Sequence, residues 1–383
     1  FPALALTVVK DGAVWLNEAW GWIDPDSRQL PVQPDSPFDL ASVSKLFTAS
    51  AFLSLVSQGL VALEDRLVDV VPEFGESGPR PLDGGQDPHT KARLPTPEAL
   101  RGQTADPSRV TFRQLLTHTA GLAPWRDVFN AAGPAPLPPD RTDLVPRQER
   151  WANALRALCT YPLVGQPGDG VVRYSDLGFM LLGEAVSRLH GTPGALDVVI
   201  RERVLEPLRL ESPVFNPLRH GRARTAIPPT EDDPTWRGRR CWGEVHDENA
   251  CGVGGVAGHA GLFGSARDVA ALGQAWLERD PRLGISPDLM RAATQEHAAT
   301  DGMRRGLGWM LKALADSSAG DRFNPDSYGH TGFTGTSLWI DPRRALVVAC
   351  LTNRVYPGRD KPGIHDFRRA AHDLLAEAVD GTC

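Results

Sequence analysis

The stretch that predicts most about this chain is Phe38-Asp39-Leu40-Ala41-Ser42-Val43-Ser44-Lys45-Leu46-Phe47-Thr48. Asp39 is a residue type that caps helix N-termini and Gly59 is one that ends helices, so the sequence predicts a helix between them. Apolar side chains occupy most of its circumference, which is typical of a buried helix. Ser42 and Lys45 lie three residues apart in its predicted first turn, on one face and within mutual reach.

Ser42 and Lys45 have the residue types of a nucleophile and its base. A serine hydroxyl attacks well only when a nearby base takes its proton. A lysine can be that base where burial or a neighbouring positive charge lowers its pKa, and the N-terminus of a buried helix supplies both conditions. Ser-x-x-Lys also occurs by chance on solvated helix faces, so the catalytic interpretation depends on the rest of the chain.

The composition is that of an ordinary globular protein. Of its 383 residues, 41% are apolar and 23% are charged, and the formal net charge is -6. A chain of this length can form one large domain or two interleaved ones. The negative net charge gives no electrostatic footprint for nucleic acid or an anionic membrane, and we predict neither as a partner. We interpret Leu46 to Leu63 as a core helix rather than a membrane span, because it contains several polar side chains.

Cysteine and metal-ligand patterns are weak. The five cysteines lack CxxC spacing and their number is odd, so we interpret them as mostly free thiols. Cys241 and Cys251 could still pair in an oxidising compartment. His246-Asp247-Glu248 has no third ligand at helical spacing, so we predict no metal there; it either lines a cleft or forms a simple turn. The chain begins with Phe1, consistent with removal of an N-terminal segment, which leaves both a cytoplasmic and a cell-envelope location open.

Hydrophobic periodicity and turn residues predict strands at both ends of the chain and helices between them. The predicted strands are Ala3 to Lys10, Ala13 to Trp20, Thr336 to Ile340 and Ala345 to Leu351. The predicted helices after the Ser42 helix are Leu63 to Val71, a short one within Val110 to Leu122, Trp151 to Leu158, Leu177 to Leu189, Ala266 to Leu277 and His365 to Val379. These elements predict an α+β fold, an antiparallel sheet flanked by helices with an inserted all-helical lobe. We expect the sheet domain at residues 1–60 and 250–383, and the lobe, with long Pro/Gly-rich loops, at residues 61–249.

Two further short motifs follow the Ser42 motif along the chain. Tyr174-Ser175-Asp176 follows a Gly-rich loop and precedes a helix, and His330-Thr331-Gly332 opens the last strands. Together with Ser42-x-x-Lys45, these motifs resemble those of the penicillin-recognising serine hydrolases, which comprise serine β-lactamases, DD-peptidases and related esterases. The resemblance covers nearly the whole chain and is closest to the class C-like branch. It implies the β-lactamase/transpeptidase-like fold.

The resemblance also implies a role for each motif residue. Ser42 would attack an acyl carbonyl, while Lys45 and Tyr174 share its proton and later activate the hydrolytic water. Tyr174 could act as a base only if nearby positive charge stabilised its phenolate. The backbone N–H groups of Ser42 and Phe333 would form the oxyanion hole. The substrate would bind against four further motif residues, Asp176, His330, Thr331 and Gly332.

Two motif residues depart from the family pattern. Asp176 stands where Asn is usual, and an ionised carboxylate accepts hydrogen bonds but donates none; it should also raise the pKa of Lys45. His330 stands where Lys is usual, and a neutral imidazole lacks the fixed charge that binds a carboxylate. Both departures favour a carboxylesterase or weak DD-peptidase over a dedicated β-lactamase.

Three other features have plainer interpretations. Gly252 to Ala257 satisfies a relaxed dinucleotide fingerprint but lacks the βαβ frame, so we expect these glycines to allow close packing beneath the active site. His118 and His259 lie among glycines and apolar residues, where histidine is usually structural. Arg354 follows the last strand, and its position either near the cleft or on the surface is left open.

The sequence thus predicts a cofactor-free serine hydrolase that forms an acyl-enzyme on Ser42. Its expected substrates are small acyl esters or D-amino-acid peptides, with weak β-lactam hydrolysis. The alternative is a penicillin-binding or sensor module that is acylated without turnover. An inactive hydrolase scaffold is a third hypothesis, and the oligomeric state is left open.

Overall fold

A computed structural model describes residues 1–381 and contains one large antiparallel sheet built from both ends of the chain. The strands of this sheet are β1 (Ala3–Lys10), β2 (Ala13–Gly21), β3 (Ala298–Thr300), β4 (Met303–Arg305), β5 (Met310–Leu311), β6 (Tyr328–Thr331), β7 (Ser337–Asp341) and β8 (Leu346–Thr352). They lie in the order β3-β4-β5-β6-β7-β8-β1-β2. The four strands predicted from the sequence are all present, and N- and C-terminal segments meet where β1 pairs with β8.

Helices fill the middle of the chain and cover the sheet. They are α1 (Ser44–Ser57), α2 (Phe112–Thr117), α3 (Val128–Ala132), α4 (Arg147–Leu158), α5 (Asp176–Leu189), α6 (Leu196–Ile200), α7 (Glu206–Leu208), α8 (Glu248–Gly252), α9 (Ala266–Glu278), α10 (Pro287–Ala293) and α11 (Ile364–Val379). A π-helical turn, Arg201–Leu205, joins α6 to α7. The middle section also contains two short strand pairs, Arg80–Pro81 with Thr104–Ala105 and Asp232–Asp233 with Arg239–Arg240. The division into two domains at the expected boundaries stays a prediction.

The large sheet separates two apolar cores. Helix α9 packs on β1, β7 and β8, and α1 packs on α5 in the same core. On the opposite side of the sheet, Val8, Trp339 and Val348 form a smaller core with Ala376 of α11. Every residue of β8 is buried because the strand lies inside the sheet and has helices on both faces.

The start of α1 differs from the prediction in a way that matters for Ser42. The helix begins at Ser44, and Ser42 lies in a preceding 3-10 turn, Ala41–Val43, rather than in the helix itself. Ala41 has a φ of 46°, a left-handed conformation that interrupts the helix. The Asp39 carboxylate accepts a hydrogen bond from the Ala41 N–H at 2.9 Å and so stabilises the turn rather than capping α1.

The helix predicted at Leu63 to Val71 is wrong; only Leu67–Asp69 form a 3-10 turn. The backbone of this segment bonds elsewhere in the chain. The Leu67 N–H donates to the Val110 carbonyl at 2.8 Å, and the Leu63 carbonyl accepts from the Arg113 N–H at 2.8 Å. Apolar spacing alone did not reveal this pairing, because the partner segment around Val110 to Arg113 lies about 45 residues further along.

Two general features of residues 1–381 bear on the sequence predictions. None of the helices is both long and apolar enough to cross a membrane within these residues. The four described cysteines, Cys159, Cys241, Cys251 and Cys350, are buried free thiols, and Cys241 and Cys251 are not paired. The fifth, Cys383, lies outside the described residues.

The His372 side chain of α11 predicts a stability change in mild acid. Burial is the main cause that lowers the pKa of this imidazole from 6.5 to about 4. The folded protein therefore keeps His372 neutral, while the unfolded chain binds a proton below about pH 6.5. We expect the free energy of unfolding to fall as the pH drops from about 6.5 to 4, by about 3 kcal/mol through this residue.

Urea unfolding of the parent, His372→Gln and His365→Gln between pH 4 and 7 checks this expectation. His365 lies on the same helix but is exposed and paired with Asp316, which makes it a matched control. The loss in acid should be smaller in His372→Gln and unchanged in His365→Gln. Equal pH slopes in all three proteins would contradict the assignment.

Candidate active site

The turn that carries Ser42 is clamped from three directions. Besides the bond to Ala41, the Asp39 carboxylate accepts from the His246 N–H at 2.7 Å. The Thr334 hydroxyl donates to the Asp39 carbonyl at 2.8 Å, and the Thr336 hydroxyl donates to the Leu40 carbonyl at 2.9 Å. These contacts hold the strained backbone just before Ser42 against the turn after β6.

Lys45 lies fully buried and is saturated with hydrogen bonds. Its Nζ lies 2.8 Å from Ser42 Oγ, 2.7 Å from Asp176 Oδ1 and 3.1 Å from the His259 carbonyl oxygen. Three acceptors match the three N–H bonds of an ammonium group. Burial alone would lower the pKa of Lys45, but the charge of Asp176, together with Tyr174, outweighs it and raises the pKa. The expectation that Asp176 acts this way is confirmed.

Tyr174 contacts both Ser42 and Lys45. Lys45 Nζ is 4.9 Å from the centre of the Tyr174 ring, and the phenol interacts with the Ser42 and Lys45 side chains. Burial raises the pKa of Tyr174; Lys45 lowers it, and Asp176 raises it further. Tyr174 is therefore a neutral phenol in the resting site, and its phenolate forms only at high pH.

The loop that presents Tyr174 is anchored by His118. The His118 carbonyl accepts from the Arg173 N–H at 2.8 Å, and its Nδ1 accepts from the Ser175 N–H at 3.1 Å. The imidazole also packs against the Tyr174 ring, with ring centres 4.7 Å apart. Burial lowers the pKa of His118 well below the usual value, so the ring is neutral. These contacts position Tyr174, and they are consistent with the prediction that His118 has a structural role.

The third motif lies at the end of β6, facing Ser42. His330 Nδ1 lies 2.8 Å from the Thr331 carbonyl oxygen, which can only accept, so this nitrogen carries the proton and Nε2 has the lone pair. Burial, followed by the positive charges of Lys45 and Arg305, lowers the pKa of His330 well below the usual value. His330 is therefore uncharged and cannot support a Tyr174 phenolate electrostatically.

Gly332 allows this strand end to approach the Ser42 turn. A Cβ atom at Gly332 would lie 2.1 Å from Thr336 Oγ1 and 2.6 Å from the Leu40 carbonyl oxygen, both far inside contact distance. The next residue is Phe333. Within residues 1–381, the backbone N–H groups of Ser42 and Phe333 donate no hydrogen bond, as an oxyanion hole requires.

A cavity of about 330 Å³ brings most of these residues together. It is lined by Ser42, Tyr174, Arg305, Met310, His330, Thr331, Gly332, Phe333, Arg354, Ile364 and Arg368. Asp176 is not among them; its carboxylate binds Lys45 beneath Ser42. Of the predicted catalytic and oxyanion-hole residues, Ser42, Tyr174 and Phe333 line this cavity. Lys45 does not line it but is buried behind Ser42, and Asp176 contacts Lys45 rather than the cavity.

Gly258, one residue beyond the run Gly252 to Ala257, packs closely under this site, while the glycines within that run approach Phe129, Arg147 and Asn216 instead. A Cβ atom at Gly258 would lie 2.1 Å from the Phe179 carbonyl oxygen and 3.0 Å from the Gly183 Cα of α5. The Gly258 carbonyl accepts from the Thr48 hydroxyl of α1 at 2.8 Å. This close approach brings the next residue, His259, to the position from which its carbonyl binds Lys45.

Comparison with known proteins assigns the chain to a family. Residues 1–373, which are nearly the whole chain, match the Beta-lactamase family. The chain belongs to the beta-lactamase family. It is 30% identical over 377 residues to an Escherichia coli (strain K12) protein named "Putative D-alanyl-D-alanine carboxypeptidase", covering 92% of this chain and 79% of that protein. It is 32% identical over 383 residues to a Bacillus subtilis (strain 168) "N-acetylmuramyl-L-alanine amidase", covering 92% of this chain and 77% of the relative.

The fold agrees with solved structures of the same kind. The structure of EstCE1, described as a hydrolase with promiscuous acyltransferase activity, superposes with a TM-score of 0.67 at 21% sequence identity. The match covers 97% of this chain and 93% of the EstCE1 chain. The predicted β-lactamase/transpeptidase-like fold is confirmed, and the family membership makes this protein a β-lactamase-like serine hydrolase.

This beta-lactamase family member also has features that sequence reasoning missed. The His259 carbonyl as a Lys45 acceptor had no sequence signal, because backbone groups carry none. Arg305 was not singled out either, although it lines the cavity and is buried. The His246-Asp247-Glu248 stretch makes side-chain hydrogen bonds: His246 Nε2 lies 2.9 Å from a Glu231 carboxylate oxygen, and Asp247 Oδ1 lies 2.8 Å from His259 Nε2. Within the described chain, no group of three or more His, Cys, Asp or Glu side chains is arranged to hold a metal.

Proposed function

We propose that this protein hydrolyses small acyl esters or D-amino-acid peptides through an acyl-enzyme on Ser42. The observation that carries the proposal is the 2.8 Å contact between Ser42 Oγ and Lys45 Nζ at the wall of a cavity. The unpaired N–H groups of Ser42 and Phe333 support it, because both residues line the same cavity. No cofactor is needed for this chemistry.

The acylation step follows from the charges around Ser42. When the cluster loses a proton, Lys45 or Tyr174 is free to take the proton of Ser42 Oγ. The Oγ then forms a bond to the substrate carbonyl carbon, and the carbonyl electron pair moves onto oxygen, where the two N–H groups stabilise it. When the tetrahedral intermediate collapses, the bond to the leaving group breaks and the same base returns the proton to that group.

Deacylation reverses the roles with water as the nucleophile. Tyr174 lines the cavity beside Ser42 and can take a proton from a water molecule that attacks the acyl carbon. The bond between the acyl carbon and Ser42 Oγ then breaks, the acid leaves, and the proton passes from Tyr174 to Ser42 Oγ. Because burial raises the pKa of Tyr174, this step should be slow at neutral pH and faster in alkali. The relatives named as carboxypeptidase and amidase support amide substrates.

One observation favours a second candidate, a module that is acylated and turns over poorly. Lys45 is held as an ammonium by Asp176, and Tyr174 is held as a phenol. Neither group is ready to activate water at neutral pH. A penicillin-binding or sensor protein would use the same nucleophile and differ only in the lifetime of the acyl-enzyme.

Mass spectrometry of the intact protein over time separates these candidates. The parent, Ser42→Ala and Ser108→Ala would be incubated with p-nitrophenyl acetate, benzylpenicillin and diacetyl-lysyl-D-alanyl-D-alanine, and the products quantified. We expect a transient adduct and steady product release from the parent and Ser108→Ala, and neither from Ser42→Ala. Ser108 is a control because its hydroxyl bonds Asp106 outside the cavity.

The possible outcomes have distinct meanings. A persistent adduct with one equivalent of product would favour the acylated module. Release of D-alanine would favour the peptidase over the esterase. Product formation that survives in Ser42→Ala, or no adduct and no turnover with any substrate, would refute the proposal.

A further inference from the structure

One buried guanidinium beside the Tyr174 ring has no anionic partner. Arg305 ends β4 and is only 5% exposed. Its Nε and Nη1 are closed to solvent and make no hydrogen bond, and the side chain forms no ion pair within residues 1–381. Its Cζ lies 5.2 Å from the centre of the Tyr174 ring. A buried charge without a partner costs stability, so folding alone does not explain Arg305.

The other charged or titratable groups around Tyr174 offset one another or are neutral. Burial is the main cause that raises the pKa of Tyr174; of the neighbouring charges, Lys45 lowers this pKa and Asp176 raises it. Lys45 Nζ lies 2.7 Å from Asp176 Oδ1, so a carboxylate offsets the nearest ammonium. His118 and His330 also face the phenol, with ring centres 4.7 and 5.9 Å away, and both imidazoles are neutral. These four groups together carry no net charge.

Arg305 therefore carries the one uncompensated positive charge in contact with this ring among residues 1–381. A cation this close attracts the full negative charge of a phenolate more strongly than the partial charge on the face of a phenol. The attraction is mutual. Burial is the larger influence and lowers the pKa of Arg305, while an ionised Tyr174 raises it. Because both groups are buried, solvent and salt screen their interaction only weakly.

We propose that Arg305 stabilises the phenolate form of Tyr174 and thereby speeds deacylation, in which Tyr174 takes a proton from the attacking water. Arg305 acts through Tyr174, and its own protonation does not change, so it is a positioning residue for the reaction. Its closed Nε and Nη1 fit this role, because the charge acts through space and needs no hydrogen bond to a ligand. The assignment rests on the proposed function, because it concerns the acyl-enzyme on Ser42.

The charge of Arg305 matters at both ends of this step. Tyr174 is ionised before water attacks, and in that state Arg305 has a partner. One O–H bond of the water then breaks, its oxygen bonds the acyl carbon, and the proton moves to the Tyr174 oxygen. When Ser42 Oγ leaves the acyl carbon it takes this proton, which restores the phenolate beside Arg305. A stronger attraction raises the fraction of protein that is ready for the step and shortens the lifetime of the acyl-enzyme.

Tyrosine NMR tests the electrostatic contact without any turnover. The chain has four tyrosines, so protein labelled with ¹³C at the tyrosine Cζ gives few signals, and Tyr174→Phe identifies the one from Tyr174. The signal would be followed from pH 7 to 12 in Ser42→Ala and in Ser42→Ala/Arg305→Gln. We expect the Tyr174 midpoint to lie about 1 to 2 pH units higher without Arg305, because a nearby positive charge favours the ionised phenol. An equal midpoint in the two proteins would overturn the assignment.

The lifetime of the acetyl-enzyme tests the consequence for turnover. After rapid mixing with p-nitrophenyl acetate, the decay of the acetylated protein would be followed by mass spectrometry between pH 6 and 10. This acyl group is uncharged, so a change in decay does not report binding of a charged substrate. Below the Tyr174 midpoint the rate should follow the phenolate fraction, and we expect decay at pH 7 to be about 10- to 100-fold slower in Arg305→Gln. Equal decay in the parent and Arg305→Gln would contradict the proposal.

Two further variants separate the charge from the shape of the side chain. Arg305→Lys keeps a positive charge and should restore part of both the midpoint and the decay rate. Arg304→Gln removes the neighbouring charge of β4, which is paired with Glu296 and does not line the Ser42 cavity, and should match the parent. A loss in Arg305→Lys as large as that in Arg305→Gln would show that the charge is not what acts on Tyr174.

The two measurements also distinguish this assignment from the proposed function. If the parent forms no acyl-enzyme but the Tyr174 midpoint rises without Arg305, the proposed function fails and the contact between Arg305 and the phenolate stands. If the parent hydrolyses the ester and Arg305→Gln changes neither the midpoint nor the decay rate, the proposed function stands and the assignment of Arg305 fails.

Discussion

Replacing Ser42 with alanine, Lys45 with methionine, or both is expected to lower kcat/KM for an ester substrate by at least about 10⁴-fold in each case. Ser42 Oγ lies 2.8 Å from Lys45 Nζ, and Lys45 is itself fully buried. The two groups act on one proton. Removing either one therefore removes the same step, and the double variant should be little worse than the single ones.

The control for these single and double variants is Lys91→Met. It makes the same change at a lysine that is paired with Glu248 outside the cavity. Its kcat/KM should stay within a few-fold of the parent value. Lys45→Met leaves the Asp176 carboxylate without its partner, so its thermal midpoint should be measured alongside. If the fold-losses of Ser42→Ala and Lys45→Met multiplied in the double variant, the two residues would act independently. That result would contradict the hypothesis that they act on the same proton.

Replacing Asp176 with asparagine is expected to move the pH profile of kcat/KM to lower pH by about one to three units. Asp176 Oδ1 lies 2.7 Å from Lys45 Nζ, and its charge raises the pKa values of both Lys45 and Tyr174. In the parent, the proton acceptor therefore forms only in alkali, and kcat/KM should rise with pH. Asparagine can still accept the Lys45 hydrogen bond but carries no charge, so the basic form should appear at lower pH.

Ester hydrolysis by the parent, Asp176→Asn and Asp169→Asn between pH 6 and 10 measures this shift. Asp169 pairs with Arg173 on the same loop and does not contact Lys45, so its variant should keep the parent profile. A midpoint that stays in place or moves to higher pH in Asp176→Asn would mean that Asp176 does not control the base.

Local pattern predicted the elements that carry the motifs. Alternating and apolar runs located the strands at Ala3–Lys10 and Leu346–Thr352, and helical spacing located α5 and α9 to within a few residues. These elements are predictable because each depends on the residues of its own segment. Where the backbone bonded to a distant segment instead, as at Leu63 to Val71, the same reasoning failed.

The placement of Ser42 shows a second limit of prediction from the sequence. A helix cap was expected from Asp39, and the residue does bind a backbone N–H nearby. It does so within a turn that Thr334 and Thr336 clamp from nearly 300 residues away. Sequence spacing predicted that Ser42 and Lys45 would meet, while the strained turn that exposes Ser42 depends on contacts between the two ends of the chain.

The sequence by itself determined the fold family and the residue types of the site, because three short motifs in a set order specify both. The tertiary structure determined the protonation states of the side chains in the site. The charges of Asp176 and Tyr174 outweigh burial and hold Lys45 as an ammonium. Burial and Asp176 hold Tyr174 as a phenol, and burial keeps His330 neutral. It also brought Arg305 to the cavity without an anionic partner. Protonation and pairing depend on which groups surround a side chain in space, and residues far apart in the chain supply those groups here.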